Sequence, residues 1–279
     1  MQVMSSTDAE AHNFSEHRGA GIRFQRLLRG EPDAPDNFEW SIVHFGEDYT
    51  TPRHHHNFSQ ILYVLEGLHE WSPRVSMPEG SVTYSPEGTF YGPQRGHGSL
   101  VLTLQYGEAS GSGFMSYDRL AEGSKRLAES SNGRFDDGVW RVVDADGTQR
   151  NQDGYEAIWE EINRRPVGYP EPRYETPVTM HPDAFDWVAT AEPGIERRHL
   201  GTFSELETTI GFLGYASGAT HRVEALPSRE LHFVVEGAIR VGNGIHGRRT
   251  AFMFDPGDDH TIEAMEPTTA YVISLPHFA

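Results

Sequence analysis

Three consecutive histidines, His54, His55 and His56, are followed by Gln60, and side chains of these types can ligate a metal ion. The chain contains no cysteine, so any metal must be held by histidine, carboxylate or amide groups. Because successive side chains of a β-strand point to opposite faces, a strand here would place His54 and His56 on one face and His55 on the other. A polar loop carrying three solvated histidines is the alternative interpretation.

Short runs of β-branched, aromatic and leucine residues surround the histidines, and breaks containing proline or glycine separate these runs. In the first part of the chain the runs cover residues 23–29, 38–45, 60–67, 81–86 and 99–107. Similar runs return at residues 207–215, 230–237, 238–242, 250–256 and 269–276. Such spacing predicts antiparallel strands arranged in a barrel or sandwich, so the fold class is mainly all-β.

The middle of the chain has a helical pattern instead. In residues 153–165, Asp153 is placed to cap a helix N-terminus, Glu156 follows three positions later, and Pro166 follows the segment. The predicted apolar face consists of Tyr155, Ile158, Trp159 and Ile162. A weaker helix is predicted over residues 117–128.

The two strand-rich parts resemble each other. The segment SQILYVLEG of residues 59–67 aligns without gaps with RELHFVVEG of residues 229–237, and each strand ends in Glu-Gly. An internal duplication of one β-domain is the simplest account of this repeat.

The first of these parts resembles the cupin superfamily. The first cupin motif is a glycine, a spacer, His-x-His, three or four residues, a glutamate, six residues and a glycine. This sequence matches it with Gly46, His54, His56, Gln60 and Gly67. The second motif, a glycine, five residues, Pro-x-Gly, two residues and a histidine, matches Gly80, Pro86, Gly88 and Tyr91.

The resemblance covers roughly residues 38–107, with a looser copy at 211–276, and it implies a bicupin with two antiparallel jelly-roll β-barrels. The expected domains are an N-terminal barrel over residues 1–114, a partly helical connector over 115–190 and a C-terminal barrel over 191–279. Each working barrel is expected to hold one divalent metal ion: Zn, Fe, Mn or Ni.

Two positions of the first barrel depart from the cupin pattern, because Gln60 replaces the usual glutamate and Tyr91 replaces the last histidine. With His54, His56 and a neutral amide as ligands, a divalent ion keeps its full charge and polarises a carbonyl or hydroxyl oxygen strongly. This favours Lewis-acid chemistry over oxygen activation. Tyr91 could be a fourth ligand, a general acid–base, or a phenol packed at the barrel mouth.

The second barrel keeps a different subset of the motif. His221 matches the first histidine, Glu230 aligns with Gln60, and His260 matches the histidine of the second motif, whereas Val223 occupies the second histidine position. His221, Glu230 and His260 have the composition of a two-histidine, one-carboxylate iron site. His232 could supply another nitrogen or be a hydrogen-bonded core histidine.

Composition excludes several classes of partner. The 279 residues include 23 basic and 41 acidic side chains, for a formal charge of −18, and such a surface repels phosphate backbones and anionic lipids. The N-terminal residues are polar and acidic and do not resemble a signal peptide, and no apolar run is long enough to span a membrane, so a cytoplasmic location is expected. The expected partner is a small-molecule substrate, and a homodimer is left open.

Three function classes are therefore compatible with the sequence. The first is a metal-dependent enzyme acting on a small oxygenated organic molecule, of isomerase, cyclase or lyase type, with Tyr91 as a candidate catalytic residue. The second is an iron-dependent dioxygenase that uses the second barrel. The third is a non-catalytic cupin that binds a ligand or regulates a partner. A barrel of this kind hosts many chemistries, so the fold does not choose among them.

Overall fold

The computed structural model of the protein describes residues 1–12, 17–18, 21–32, 34–130, 133–144 and 146–278. The chain divides into two compact units. Residues Ala11–Thr179 form one, called here the N-terminal unit, and residues Met1–Glu10 with Met180–Ala279 form the other, called the C-terminal unit.

The N-terminal unit is built on a seven-stranded sheet and a four-stranded sheet. In spatial order the larger sheet contains β15 (Val178–Met180), β9 (Val82–Ser85), β6 (Ser59–Glu66), β11 (Leu100–Tyr106), β4 (Phe38–Phe45), β3 (Ile22–Arg29) and β2 (Ala11–His12). The smaller sheet contains β5 (Thr50–Thr51), β10 (Gln94–Arg95), β7 (Leu68–Ser72) and β8 (Val75–Pro78).

The same unit contains two helices and a small third sheet. The helices are α1 (Tyr117–Glu129) and α2 (Gly154–Asn163), and the sheet has the order β12 (Gly133–Asp136), β13 (Val139–Val143) and β14 (Gln149–Asp153). Both helices contribute to one apolar core, together with side chains from the seven-stranded and four-stranded sheets. Their buried residues there include Tyr117 and Leu120 of α1 and Tyr155 and Ile158 of α2. The helices therefore complete this core rather than forming a separate layer.

The C-terminal unit repeats the pair of sheets. Its seven-stranded sheet has the order β1 (Gln2–Ser5), β23 (Thr250–Phe254), β20 (Glu230–Glu236), β25 (Thr268–Ser274), β18 (Thr208–Tyr215), β17 (Ile195–Phe203) and β16 (Val188–Ala189). The four-stranded sheet has the order β19 (Thr220–Val223), β24 (His260–Ala264), β21 (Ala238–Val241) and β22 (Gly244–Gly247), and a 3₁₀ turn covers Pro182–Ala184.

The repeat that the sequence predicts is present in the strand order. Strand β6 lies between β9 and β11, and β20 lies between β23 and β25, with antiparallel pairing on both sides. Both strands end at a glycine with positive φ, 80° at Gly67 and 81° at Gly237. A side chain is strained in that conformation, and a Cβ on Gly237 would lie 2.4 Å from the hydroxyl oxygen of Thr268. The repeated Glu-Gly therefore marks the same turn in both units.

Helix α2 begins where the sequence predicts it. The Asp153 carboxylate accepts hydrogen bonds from the backbone N–H groups of Tyr155 at 2.9 Å and Glu156 at 3.2 Å, which satisfies donors that lack a partner within the helix. The helix ends at Arg164, whose φ of 55° is left-handed. None of the helices in the described residues is long and apolar enough to cross a membrane.

The structure differs from the predicted architecture in two respects. Each unit is a jelly-roll sandwich of two open sheets, not a closed barrel. The helices predicted as a connector over residues 115–190 belong to the N-terminal unit, because their apolar faces are buried in its core, and the first strand β1 pairs with β23 of the C-terminal unit. The two compact units are divided at residues 10/11 and 179/180, whereas the sequence predicts boundaries at 114/115 and 190/191.

Candidate active site

Four residues selected from the sequence line one cavity of the N-terminal unit. His54, His56, Gln60 and Tyr91 surround a space of about 60 Å³. That volume accommodates roughly four water molecules, at ~10–15 Å³ each. The lining also includes Arg18, Gln105, apolar residues of β3 and β4 and the aromatic rings of Phe58, Tyr117 and Tyr155. The cavity can therefore hold only a small ligand.

His54 and Tyr91 are fixed to each other through their backbones. The N–H of His54 donates to the carbonyl of Tyr91 at 2.9 Å, and the N–H of Tyr91 donates to the carbonyl of His54 at 3.0 Å. The His54 Nδ1 lies 2.7 Å from the Pro52 carbonyl. Since a carbonyl only accepts, Nδ1 carries the proton and Nε2 presents a lone pair. Burial, followed by the charge of Arg18, lowers the pKa of His54 to about 3.

Arg18 occupies the centre of the site, although the sequence does not identify it as a site residue. Its Nη1 donates to both oxygens of Asp153, at 3.1 and 2.8 Å, and its Nη2 lies 3.0 Å from Nε2 of His56. The side chain is buried, with 8% of its surface exposed. A guanidinium group only donates, so Nε2 of His56 accepts and the proton of the imidazole is on Nδ1.

Tyr91 continues the hydrogen-bond chain from His56 to Gln60. The protonated Nδ1 of His56 donates to the Tyr91 hydroxyl at 3.0 Å, and that hydroxyl donates to Oε1 of Gln60 at 2.8 Å. Every donor therefore points in one direction, from Arg18 through His56 and Tyr91 to Gln60. Burial and then Arg18 hold the pKa of His56 well below its usual range, while burial raises the pKa of Tyr91. At neutral pH His56 is therefore neutral and Tyr91 is protonated.

Asp153 joins the helix to the site. It caps α2 and binds Arg18 with the same carboxylate. Burial alone would raise its pKa, but the charge of Arg18 and the hydrogen bonds outweigh burial, so the pKa of Asp153 is lowered. The sequence identifies Asp153 only as a cap, because its pairing with Arg18 joins residues 135 positions apart.

His55 lies on the other side of the triplet. Its ring is stacked between Phe90, with centroids 3.8 Å apart, and Tyr169, with centroids 3.6 Å apart. It is not among the residues that line the cavity. This placement agrees with the alternation expected for the three histidines.

A metal ion does not fit the predicted ligands of the N-terminal unit as they are arranged. The Nε2 of His56 accepts a hydrogen bond from Arg18, which uses its single lone pair, and the Oε1 of Gln60 accepts one from Tyr91. Of the three predicted ligands, only Nε2 of His54 has no hydrogen-bond donor among the described residues. A divalent ion bound to His56 would also adjoin the positive guanidinium. Within the described residues, no three His, Cys, Asp or Glu side chains are grouped so that they could hold a metal ion.

The predicted ligands of the C-terminal unit are each paired with another group. His221 Nδ1 lies 2.6 Å from the Glu192 carboxylate, and Glu230 Oε1 lies 2.6 Å from Nε2 of His232. His260 Nε2 lies 3.8 Å from the Asp258 carboxylate. Burial would raise the pKa of Glu230, but His232 and His221 outweigh it and lower that pKa. Among the described residues these three side chains do not form a group that could hold a metal ion, so a metal ion does not fit here as they are arranged.

Comparisons with known proteins identify the fold. No protein-family model and no curated protein sequence matches the chain. Among solved structures, a Nostoc punctiforme protein provisionally assigned as a dioxygenase is 10% identical with a TM-score of 0.67, covering 99% of this chain and 82% of its own.

Two other solved structures are similar over the whole chain. Oxalate decarboxylase from Bacillus subtilis is 14% identical with a TM-score of 0.56, covering 99% of this chain and 76% of its own. A glyoxylate-induced protein from Pseudomonas aeruginosa, also provisionally assigned, is 10% identical with a TM-score of 0.59, covering 99% and 88%. At these identities the likeness concerns the fold alone, and it confirms the cupin-type, mainly β fold with two units that the sequence predicts.

Proposed function

We propose that the cavity of the N-terminal unit is the active site of an enzyme that moves a proton on a small oxygenated organic molecule, as isomerases, cyclases and lyases do. The observation that carries this proposal is the directed chain from Arg18 through His56 to Tyr91, which ends beside an unprotonated His54 nitrogen at the same cavity. An acid and a base thus face one small space.

In this proposal Tyr91 is the acid. Its hydroxyl is protonated at neutral pH because burial raises its pKa. A substrate oxygen that takes the place of Gln60 as acceptor would receive this hydrogen bond, and then the proton. The resulting phenolate would be stabilised by the Nδ1–H of His56, whose other nitrogen is held by Arg18.

His54 is the base in the same proposal. Its Nε2 bears a lone pair, and its ring centroid lies 4.6 Å from that of Tyr91. The low pKa keeps the imidazole unprotonated at neutral pH but also makes it a weak base. A negatively charged substrate beside it would raise that pKa, because the charge favours the imidazolium. The site is therefore best suited to a small anionic carbonyl or hydroxyl compound.

The size of the cavity supports such a substrate. Room for roughly four water molecules is room for an oxoacid with a few non-hydrogen atoms. The names of two similar structures, an oxalate decarboxylase and a glyoxylate-induced protein, refer to molecules of this size.

A metal-dependent form of this function is the second candidate. It is favoured by the Nε2 of His54, which has no hydrogen-bond partner in the described part of the chain, and by the Mn(II) centres of the B. subtilis oxalate decarboxylase. It would use His54, His56 and Gln60 as ligands and would require Arg18 to leave His56. The dioxygenase alternative would use iron in the C-terminal unit and would require His221 and Glu230 to leave their present partners.

Proton exchange tests the proposal directly. The protein is incubated in D₂O with pyruvate, dihydroxyacetone or acetoacetate, and loss of the C–H signals is followed by proton NMR. We expect exchange that falls at least ~10²-fold in His54→Asn and in Tyr91→Phe, because each removes an acid–base group. His55→Asn, which changes a neighbouring histidine outside the cavity, is the matched control.

The outcomes of this experiment are distinct. Equal exchange in the wild type and in His54→Asn contradicts the assignment of the base. Absence of exchange with every compound, together with saturable binding of oxalate, contradicts catalysis and supports a ligand-binding cupin. Oxygen consumption that depends on added iron and on His221 supports the dioxygenase alternative instead.

A further inference from the structure

We infer that Arg18 is a built-in cation that takes the place of a metal ion in the cavity of the N-terminal unit, and that a divalent ion binds there only when Arg18 is removed. The inference rests on the proposed function for the location of the site. Its test measures metal binding and does not depend on turnover.

The first step is the position of the guanidinium. In the matched cupin motif, His54 and His56 are the histidines expected to share an ion. Nε2 of His56 lies 3.0 Å from Nη2 of Arg18 and accepts its hydrogen bond. The lone pair that a metal would need is therefore already used, and the group that uses it is positively charged.

The second step is the charge balance. Arg18 is compensated by Asp153, which is not a residue of the cupin motif and lies at the N-terminus of α2. The potential ligands His54, His56 and Gln60 are all neutral, so they would not offset the two charges of a divalent ion. The buried ion pair thus supplies one balanced positive group where an ion would add two unbalanced charges.

The third step is the geometry of arginine. The planar guanidinium donates to Asp153 through Nη1 and to His56 through Nη2. A lysine offers all its donors from a single nitrogen, so it does not have the two separated nitrogens of this bridge. The side chain at position 18 therefore determines three properties together: the tautomer of His56, the direction of the donor chain to Tyr91, and the exclusion of metal.

Metal titration of the full chain tests the inference. The metal-free wild type, Arg18→Gln and Arg18→Lys are titrated with Zn²⁺ by calorimetry and with Co²⁺ by visible absorption, and stoichiometry is measured after dialysis. We expect Arg18→Gln to gain one ion per chain relative to the wild type, with affinity at least 100-fold above any wild-type binding at this site. Arg18→Lys should bind more weakly than Arg18→Gln.

Two further variants locate the additional ion. Arg18→Gln/His54→Asn should lose it, whereas Arg18→Gln/His55→Asn should keep it. The His221→Asn substitution, introduced into both the wild type and Arg18→Gln, removes any ion held by the C-terminal unit from the comparison. Folding of each variant is verified by circular dichroism, and Arg18→Lys provides a second test if Arg18→Gln does not fold.

Two results would overturn the inference. One is a wild type that already binds an ion and loses it in His54→Asn. The other is a folded Arg18→Gln that gains no ion. Proton exchange by a metal-free wild type would support the proposed function in either case, so a failure of this inference is distinguishable from a failure of the proposed function.

Discussion

The equivalent strands β6 and β20 are each third in a seven-stranded sheet, but they carry side chains of different charge at aligned positions. Gln60 on β6 lies opposite Gln105 and Ser85, and Glu230 on β20 lies opposite Ser274 and Phe254. Apart from their cross-strand neighbours, these two aligned positions differ in charge, since the first is a neutral amide and the second a carboxylate.

Different histidine partners accompany this difference. In the C-terminal unit the histidines lie beside carboxylates, as His221 beside Glu192 and His232 beside Glu230. In the N-terminal unit His56 is paired with an arginine, and the carboxylate that balances this arginine is that of Asp153. A duplicated cupin-type sandwich can therefore surround its histidines with either charge, and the fold itself does not decide which.

The largest expected effect separates the chemistry of the two units. Tyr91→Phe should reduce proton exchange by ~10²–10⁴-fold, because the donor that ends the chain from Arg18 is lost. Tyr215→Phe is the matched control, since Tyr215 is a buried phenol of the C-terminal unit whose pKa is also raised, in that case by burial and then Glu230 and Glu192. Exchange rates by NMR with the fastest compound provide the measurement. An equal loss in both variants would show that the chemistry does not belong to the N-terminal unit alone.

The sequence predicts the fold better than it predicts this site. The strand pattern, the repeat and its Glu-Gly ends predict two antiparallel β-units, because strand periodicity and glycine conformation are local properties. The jelly-roll form of these units is implied only by the resemblance to cupins. The site depends instead on Arg18, which lies in a polar segment without strand or helix pattern and pairs with His56 38 positions away. No spacing rule connects such residues. For the same reason the sequence does not predict that Glu192 pairs with His221, 29 positions away.

The second effect concerns stability. Asp153→Ala should lower the free energy of unfolding of the N-terminal unit by about 3–5 kcal/mol, because it leaves the buried Arg18 unpaired and also removes the cap of α2. Glu192→Ala breaks the corresponding contact of His221, which is more exposed, and should cost about 1 kcal/mol or less. Urea unfolding followed by circular dichroism measures both.

A third variant separates the two roles of Asp153. Asn caps helices about as well as Asp, so Asp153→Asn keeps the cap and removes only the charge. We expect it to retain most of the destabilisation seen in Asp153→Ala. Full recovery of stability in Asp153→Asn would assign the effect to the cap rather than to Arg18.

The third effect is a difference in acid sensitivity. The pKa values of His17 and His54 are lowered to about 3, by burial first and then by Arg18, so these side chains are neutral in the folded N-terminal unit. The unfolded chain takes up their protons below pH ~6.5, so the stability that they contribute is complete above that pH and is lost as the pH falls towards 3. Between pH ~6.5 and 3, each of these two histidines lowers the free energy of unfolding by up to ~1.4 kcal/mol per pH unit.

The C-terminal unit should respond at lower pH. The pKa values of Glu192 and Glu230 are lowered because the hydrogen bonds and histidine contacts outweigh burial, so their contribution is present above pH ~4.5 and is lost below it. As the pH is lowered to 5, hydrogen exchange corrected for intrinsic rates should therefore rise in residues 11–179 and not yet in residues 180–278. Simultaneous loss of protection in both units would contradict this difference.

The smallest effect tests whether the charge at position 60 is what distinguishes the two sites. In a chain that carries Arg18→Gln, adding Gln60→Glu gives the N-terminal unit the carboxylate that Glu230 provides in the C-terminal unit, and Zn²⁺ should bind about tenfold more tightly because the ion then has a charged ligand. Gln105→Glu is the matched control, since Gln105 pairs with Gln60 across the sheet and lines the same cavity. If residue 60 coordinates the ion, Gln60→Glu should raise the calorimetric Zn²⁺ affinity more than Gln105→Glu does. An equal gain from both substitutions would show that the charge at position 60 attracts the ion without coordinating it.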